Sequence, residues 1–85
     1  MKAITVKVLP QTERKPRRIK AFDMDDNNVV MSWTQAEEKA LKRHGEASHD
    51  SVHRSVALAL CEKMGWRGKM ACGGIKGALV FVFTE

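Results

Sequence analysis

Along the first third of the chain, apolar and polar residues alternate singly. Ile4, Val6 and Val8 are separated by Thr5 and Lys7, the period of two expected of a half-buried strand from about Lys2 to Leu9. Pro10 ends that pattern. Gln11 to Pro16 is a polar loop expected to be exposed and mobile, since the proline ring cannot continue a ladder inside a sheet. The alternation resumes from Arg17 to Phe22, where Ile19 and Ala21 belong to the core side and Arg18, Lys20 and Phe22 to the outside. If the first two strands pair antiparallel, Lys7, Arg18 and Lys20 share one solvent face. Asp23 to Asn28 has turn chemistry, because Asp and Asn tolerate left-handed backbone and bond their own main chain. It leads to a third strand, Val29 to Trp33, with Val29, Met31 and Trp33 on one side.

The period then lengthens. Thr34 opens T-Q-A-E, a capping-box spelling with Glu37 three residues on. Ala36, Ala40 and Leu41 fit a short amphipathic helix to about Arg43, ended by Gly45; the alternative for Gln35 to Ala47 is a loop with one helical turn. The strongest pattern is Ser48 to Gly65. Val52, Val56, Ala59, Leu60 and Met64 recur near the helical period and share one face. Ser48 is a natural N-cap, Asp50 suits the positive end of the helix dipole, and Gly65 stops the helix and turns Trp66 back. Arg67 to Cys72 and Ala78 to Phe83 read as strands joined by a glycine-rich loop, G-G-I-K-G. L-V-F-V-F is apolar on both faces, which places it inside a sheet rather than at its edge. The order β-β-β-(α)-α-β-β predicts one α+β domain over residues 1–85. It would be a two-layer fold whose largely antiparallel five-stranded sheet is covered on one face by one main helix.

Composition narrows the function classes. With 85 residues there is no room for a second lobe, and 44% hydrophobic against 29% charged residues is the balance of a folded chain. The net charge of +5 is unevenly spread. Residues 1 to 20 hold seven cations against Glu13, or +6, leaving −1 for the other 65 residues. A local basic patch attracts an anionic partner, either nucleic acid or an acidic protein surface. The two cysteines, Cys61 and Cys72, lack a CxxC spacing and read as reduced, buried thiols of a cytoplasmic protein. No secretory signal or membrane-length apolar run is evident.

The basic arm is the best functional candidate. Phosphate contacts need cations along a surface, and Lys7, Arg14, Lys15, Arg17, Arg18 and Lys20 supply them, with Phe22 available to stack on a base or fill a partner's pocket. Other constellations fall short. Asp23, Asp25 and Asn27 copy the start of a calcium loop, but Asn28 and Thr34 stand where glycine and a bidentate glutamate are needed, so a hairpin turn is expected. His44, His49 and His53 lack further ligands and read as exposed or capping residues. Gly73, Gly74, Lys76 and Gly77 join two strands and do not form a phosphate loop. Cys61 has no local catalytic signature, and no acid, base and nucleophile converge. We expect no enzyme, metal, cofactor, small-molecule substrate or membrane association.

Four segments carry a resemblance: M-K-A-I at the start, R-x-I-K-A-x-D-x-D-x-N from Arg17 to Asn27, A-L-C-E-K-M-G-W from Ala59 to Trp66, and G-G-x-K-G-x-x-V-F-V-F at the end. They resemble small accessory proteins carried by bacterial phages and plasmids, with a longer connection at Gln35 to Ala47. The resemblance implies a protein acting in the bacterial cytoplasm as a counter-defence factor of the anti-CRISPR type. It would block a host protein or ribonucleoprotein complex, with a CRISPR effector such as Cascade as the example. A basic nucleic-acid-binding module is the alternative.

Overall fold

The alternating segment around Ile4 and Val6 forms β1 (Ala3–Leu9) in a computed structural model of the protein, which describes residues 3–84. The expected start of this strand at Lys2 lies outside the described residues. β2 (Arg18–Phe22), β3 (Asn28–Ser32), α1 (Trp33–His44), α2 (His49–Met64), β4 (Met70–Ile75) and β5 (Ala78–Phe83) follow. Every neighbouring pair of strands is antiparallel, in the order β3-β2-β1-β5-β4. The fold is α+β: an open five-stranded antiparallel sheet with two helices on one face.

Register explains the layering, because side chains directly opposite one another across an antiparallel pair share a face. Ile4 lies opposite Phe81, Val6 opposite Ala21 and Ile19 opposite Met31. These six pack with Val52, Val56, Ala57 and Leu60 of α2 and Ala36 and Ala40 of α1. Complete burial of Phe81, Ile4, Ile19 and Leu60 stabilises the fold by roughly 1.5–3 kcal/mol for each side chain. β5 sits between β1 and β4, as its two apolar faces predict.

Between β3 and α1 the boundary differs from the expected one. Trp33 is the first helical residue rather than the end of the strand, and the N-cap is Ser32, not Thr34. Ser32 Oγ accepts from Gln35 N at 3.2 Å while Gln35 Oε1 accepts from Ser32 N at 3.3 Å. Starting there puts Trp33, Ala36 and Ala40 on one inward stripe, whereas Leu41 is rotated out and 54% exposed. The segment after Gln35 is therefore helical to His44, closed by Gly45 in a left-handed conformation.

α2 begins and ends where expected. Ser48 Oγ accepts from Ser51 N at 3.2 Å, and Gly65 takes φ 74°, letting Trp66 N donate to Cys61 O. Its buried surface is wider than the Val52–Val56–Leu60 stripe. Ser51, His53, Ser55, Ala57 and Cys61 are buried too, because α1 lies along a second side and an Arg43–Glu62 ion pair joins the two helices. β4 starts at Met70, not Arg67, and Gly73 and Gly74 pair with Val80 and Leu79 instead of forming a loop. Only Lys76 and Gly77 make the turn, with Gly77 at φ 76°, a left-handed conformation that glycine adopts without strain. Cys72 on this strand is exposed and only Cys61 is buried, against the expectation of two buried thiols. Among the described residues no helix is long and apolar enough to cross a membrane.

Candidate anion-binding face

Since Ile19 and Ala21 point to the helices, Arg18, Lys20 and Phe22 point away from them. Lys20 stands directly opposite Lys7 across β1 and β2, Phe22 opposite Thr5, and Arg18 opposite Leu9. Lys7 Nζ is 5.6 Å and Lys20 Nζ 5.4 Å from the centre of the Phe22 ring. The negative face of the ring attracts both ammonium groups and gathers them at one place. Lys7, Arg18 and Lys20 are the only charged residues on the five strands among the described residues, and all three lie on the uncovered face. Like charges directly opposite one another repel, and no strand carboxylate offsets them.

The loop before β2 continues this surface. Thr12 N donates to Lys15 O at 2.9 Å and Lys15 N to Thr12 Oγ1 at 3.1 Å, a turn that folds the arm back. Thr12, Glu13, Arg14, Lys15 and Arg18 then line a concavity of about 560 Å³. Arg18 Nε on its wall is shielded from solvent and has no hydrogen-bond partner among the described residues. The loop is exposed throughout, as its composition predicts. Arg17 departs from the expected set. Its guanidinium lies 4.1 Å from the Trp33 ring centre, on the helix side, because neighbouring strand residues point to opposite faces. Lys7, Arg18, Lys20 and Phe22 thus share the open face, Arg14 and Lys15 stand at its rim, and Arg17 is turned away.

The histidines were expected to be exposed or capping, and His53 is neither. It is 2% exposed, and its Nδ1 lies 2.8 Å from His49 O, the contact of a neutral ring donating from Nδ1. Burial pushes its pKa below 6.5; the bond to His49 O opposes this, and the nearby His49 and Arg17 charges add to it. Arg17, Trp33, His53 and His49 form one row, with His53 6.2 Å from Trp33 and 4.2 Å from His49 between ring centres. His49 and His53 are one turn apart on α2, but Arg17 and Trp33 lie far from them in the chain, so no spacing signals the whole row. Among the described residues no three His, Cys, Asp or Glu side chains gather as a metal site. Asp23 turns its carboxylate on its own hairpin, accepting from Asp25 N, Asn27 N and Asn27 Nδ2 at 2.9–3.0 Å. Burial pushes the Cys61 thiol up, which keeps it protonated and a weak nucleophile. Compared with known proteins, the chain matches no family model, no curated sequence and no solved structure.

Proposed function

We propose that this is a non-enzymatic binding protein that holds a single-stranded nucleic acid on the open face of its sheet. The observation that carries the reading is Lys7 opposite Lys20 with both ammonium groups over Phe22, on a face whose strands bear no acid. A phosphate between the lysines relieves their repulsion and releases its counterions, and a base stacks on the half-buried ring. Arg14, Lys15 and Arg18 extend the cationic track into the concavity at the rim. The counter-defence role implied by the resemblance would set the RNA of a host complex, such as a CRISPR effector, on the same face.

The test is titration of a labelled oligothymidine and an oligouridine strand at several salt concentrations, read by fluorescence anisotropy. Binding should weaken with salt by about 0.7 logarithmic units per contacted phosphate for each tenfold rise. Phe22→Ala should lower affinity roughly 5- to 150-fold through lost stacking. Changing Arg14, Lys15 and Arg18 together to Glu should abolish binding without unfolding the domain. If neither strand binds at low salt while a purified acidic protein does, and loses affinity on the same substitutions, the nucleic-acid reading is wrong.

A further inference from the structure

The two edges of the sheet are finished differently. Along β3, Trp33 N donates to Arg17 O and Asp23 N to Asn27 O, which sets the phase of the ladder. Antiparallel pairs alternate between bonded and non-bonded, so the N–H and C=O groups of Asn28, Val30 and Ser32 turn outward. Side chains cap both ends of that edge, leaving Val30 between them: Lys63 Nζ donates to Asn28 O at 2.9 Å, and Gln35 Oε1 takes the Ser32 N–H. On β4, Thr84 N donates to Lys69 O at 2.8 Å, and the same alternation turns Met70, Cys72 and Gly74 outward. Their main-chain groups form a row of donors and acceptors without a partner among the described residues. β4 packs on β5 alone, Ala71 to Ile75 are exposed, and the strand carries no proline and no charge of the kind that blunts an edge.

We propose that β4 is the docking edge for an extended, acidic segment of a partner protein, which joins the sheet as a sixth strand. This surface is separate from the basic open face and does not depend on that reading. Charge selects the occupant. From Lys63 to Thr84 the chain has no acidic residue, and Arg67, Lys69 and Lys76 flank the strand. A second copy paired antiparallel about Cys72 would set Lys69 opposite the other copy's Ile75, bringing two sets of the same cations together. Acidic residues at both ends of a partner strand meet those cations instead. The groove beside the edge adds a side-chain preference. Gly74 lies opposite Leu79, and Leu79 opposite the buried Val6, so a partner residue facing Gly74 projects to the helix side. There the absent side chain of Gly74 opens a groove of about 350 Å³ lined also by Val8, His49, His53 and Leu79, which suits an apolar residue.

The probe is a labelled peptide of alternating valine and threonine, long enough to span β4, with two glutamates at each end, and a control with lysines in their place. The glutamate peptide should bind and the lysine peptide should not. On binding, the Met70, Cys72 and Gly74 amides should become protected from hydrogen exchange while the Val30 amide on the other edge does not. Cys72→Pro removes an outward N–H without cutting a bond to β5, and should weaken peptide binding roughly tenfold or more while oligonucleotide binding is unchanged. The exchange measurement on the unaltered chain decides the matter if that variant misfolds. Equal binding of both peptides, protection elsewhere than on β4, or sedimentation as a dimer with the β4 amides protected would each overturn the proposal.

Discussion

Lys20 and Lys7 face each other across β1 and β2 at a cost to stability, so one substitution separates folding from binding. Lys20→Glu turns the repulsion into a cross-strand attraction of roughly 0.2–1 kcal/mol. The thermal midpoint should rise by up to about 4–8 °C at low salt, while oligonucleotide affinity falls. Loss of both stability and binding in paired melting and anisotropy experiments would count against an anion site. His53 is informative in another way. Its folded-state pKa lies below 6.5, so the native ring stays neutral where the unfolded chain already takes up a proton. The resulting stability is complete above pH 6.5 and is lost as pH falls from 6.5 through the folded-state value. Denaturant midpoints should therefore drop over that range, and His53→Gln should flatten the dependence even if it lowers stability throughout. Phe22, Lys7, Arg18 and Lys20 were readable from alternation alone, since their positions relative to Ile19 and Val6 settle which way they point. Arg17 was not, because the Trp33 that captures it comes from another element.

At the scale of elements, α2 was legible from end to end. Its cap, its stripe and its terminal glycine are short-range features, each written within a few residues. Ser48→Ala should remove the acceptor of the Ser51 N–H and destabilise the fold by about 1 kcal/mol, measurable as a lower urea midpoint with an unchanged slope. Two boundaries were not legible. Ser32-x-x-Gln35 and Thr34-x-x-Glu37 are competing caps of similar local quality, and the inward seat of Trp33 beside Ala36 and Ala40 selects the first. Gly73 and Gly74 have weak strand preference, yet the ladder with β5 draws them in and shortens the turn to Lys76 and Gly77.

For the whole molecule, the division of labour follows from the strand order. α1 and α2 cover one side of the sheet but leave β4 without a helix, and the other side remains open with its three cations. The chain thus presents a basic face and a bare edge at separate places. By itself, the amino-acid sequence determined the α+β class, the strong helix, the side of each early strand and the outward set of Lys7, Arg18, Lys20 and Phe22. All of these are set by interactions within a few residues: period, capping and turn chemistry. Tertiary structure alone decided that His53 is buried, that Arg17 leaves the basic arm, that Cys72 is exposed, and that side chains cap the two ends of the β3 edge while the β4 edge stays bare. Each of these depends on a partner brought from a distant part of the chain: Trp33 for Arg17, Lys63 for Asn28, and the absence of any helix over β4. Local pattern carries no information about such meetings, because burial and edge position are properties of the assembled sheet rather than of any one strand.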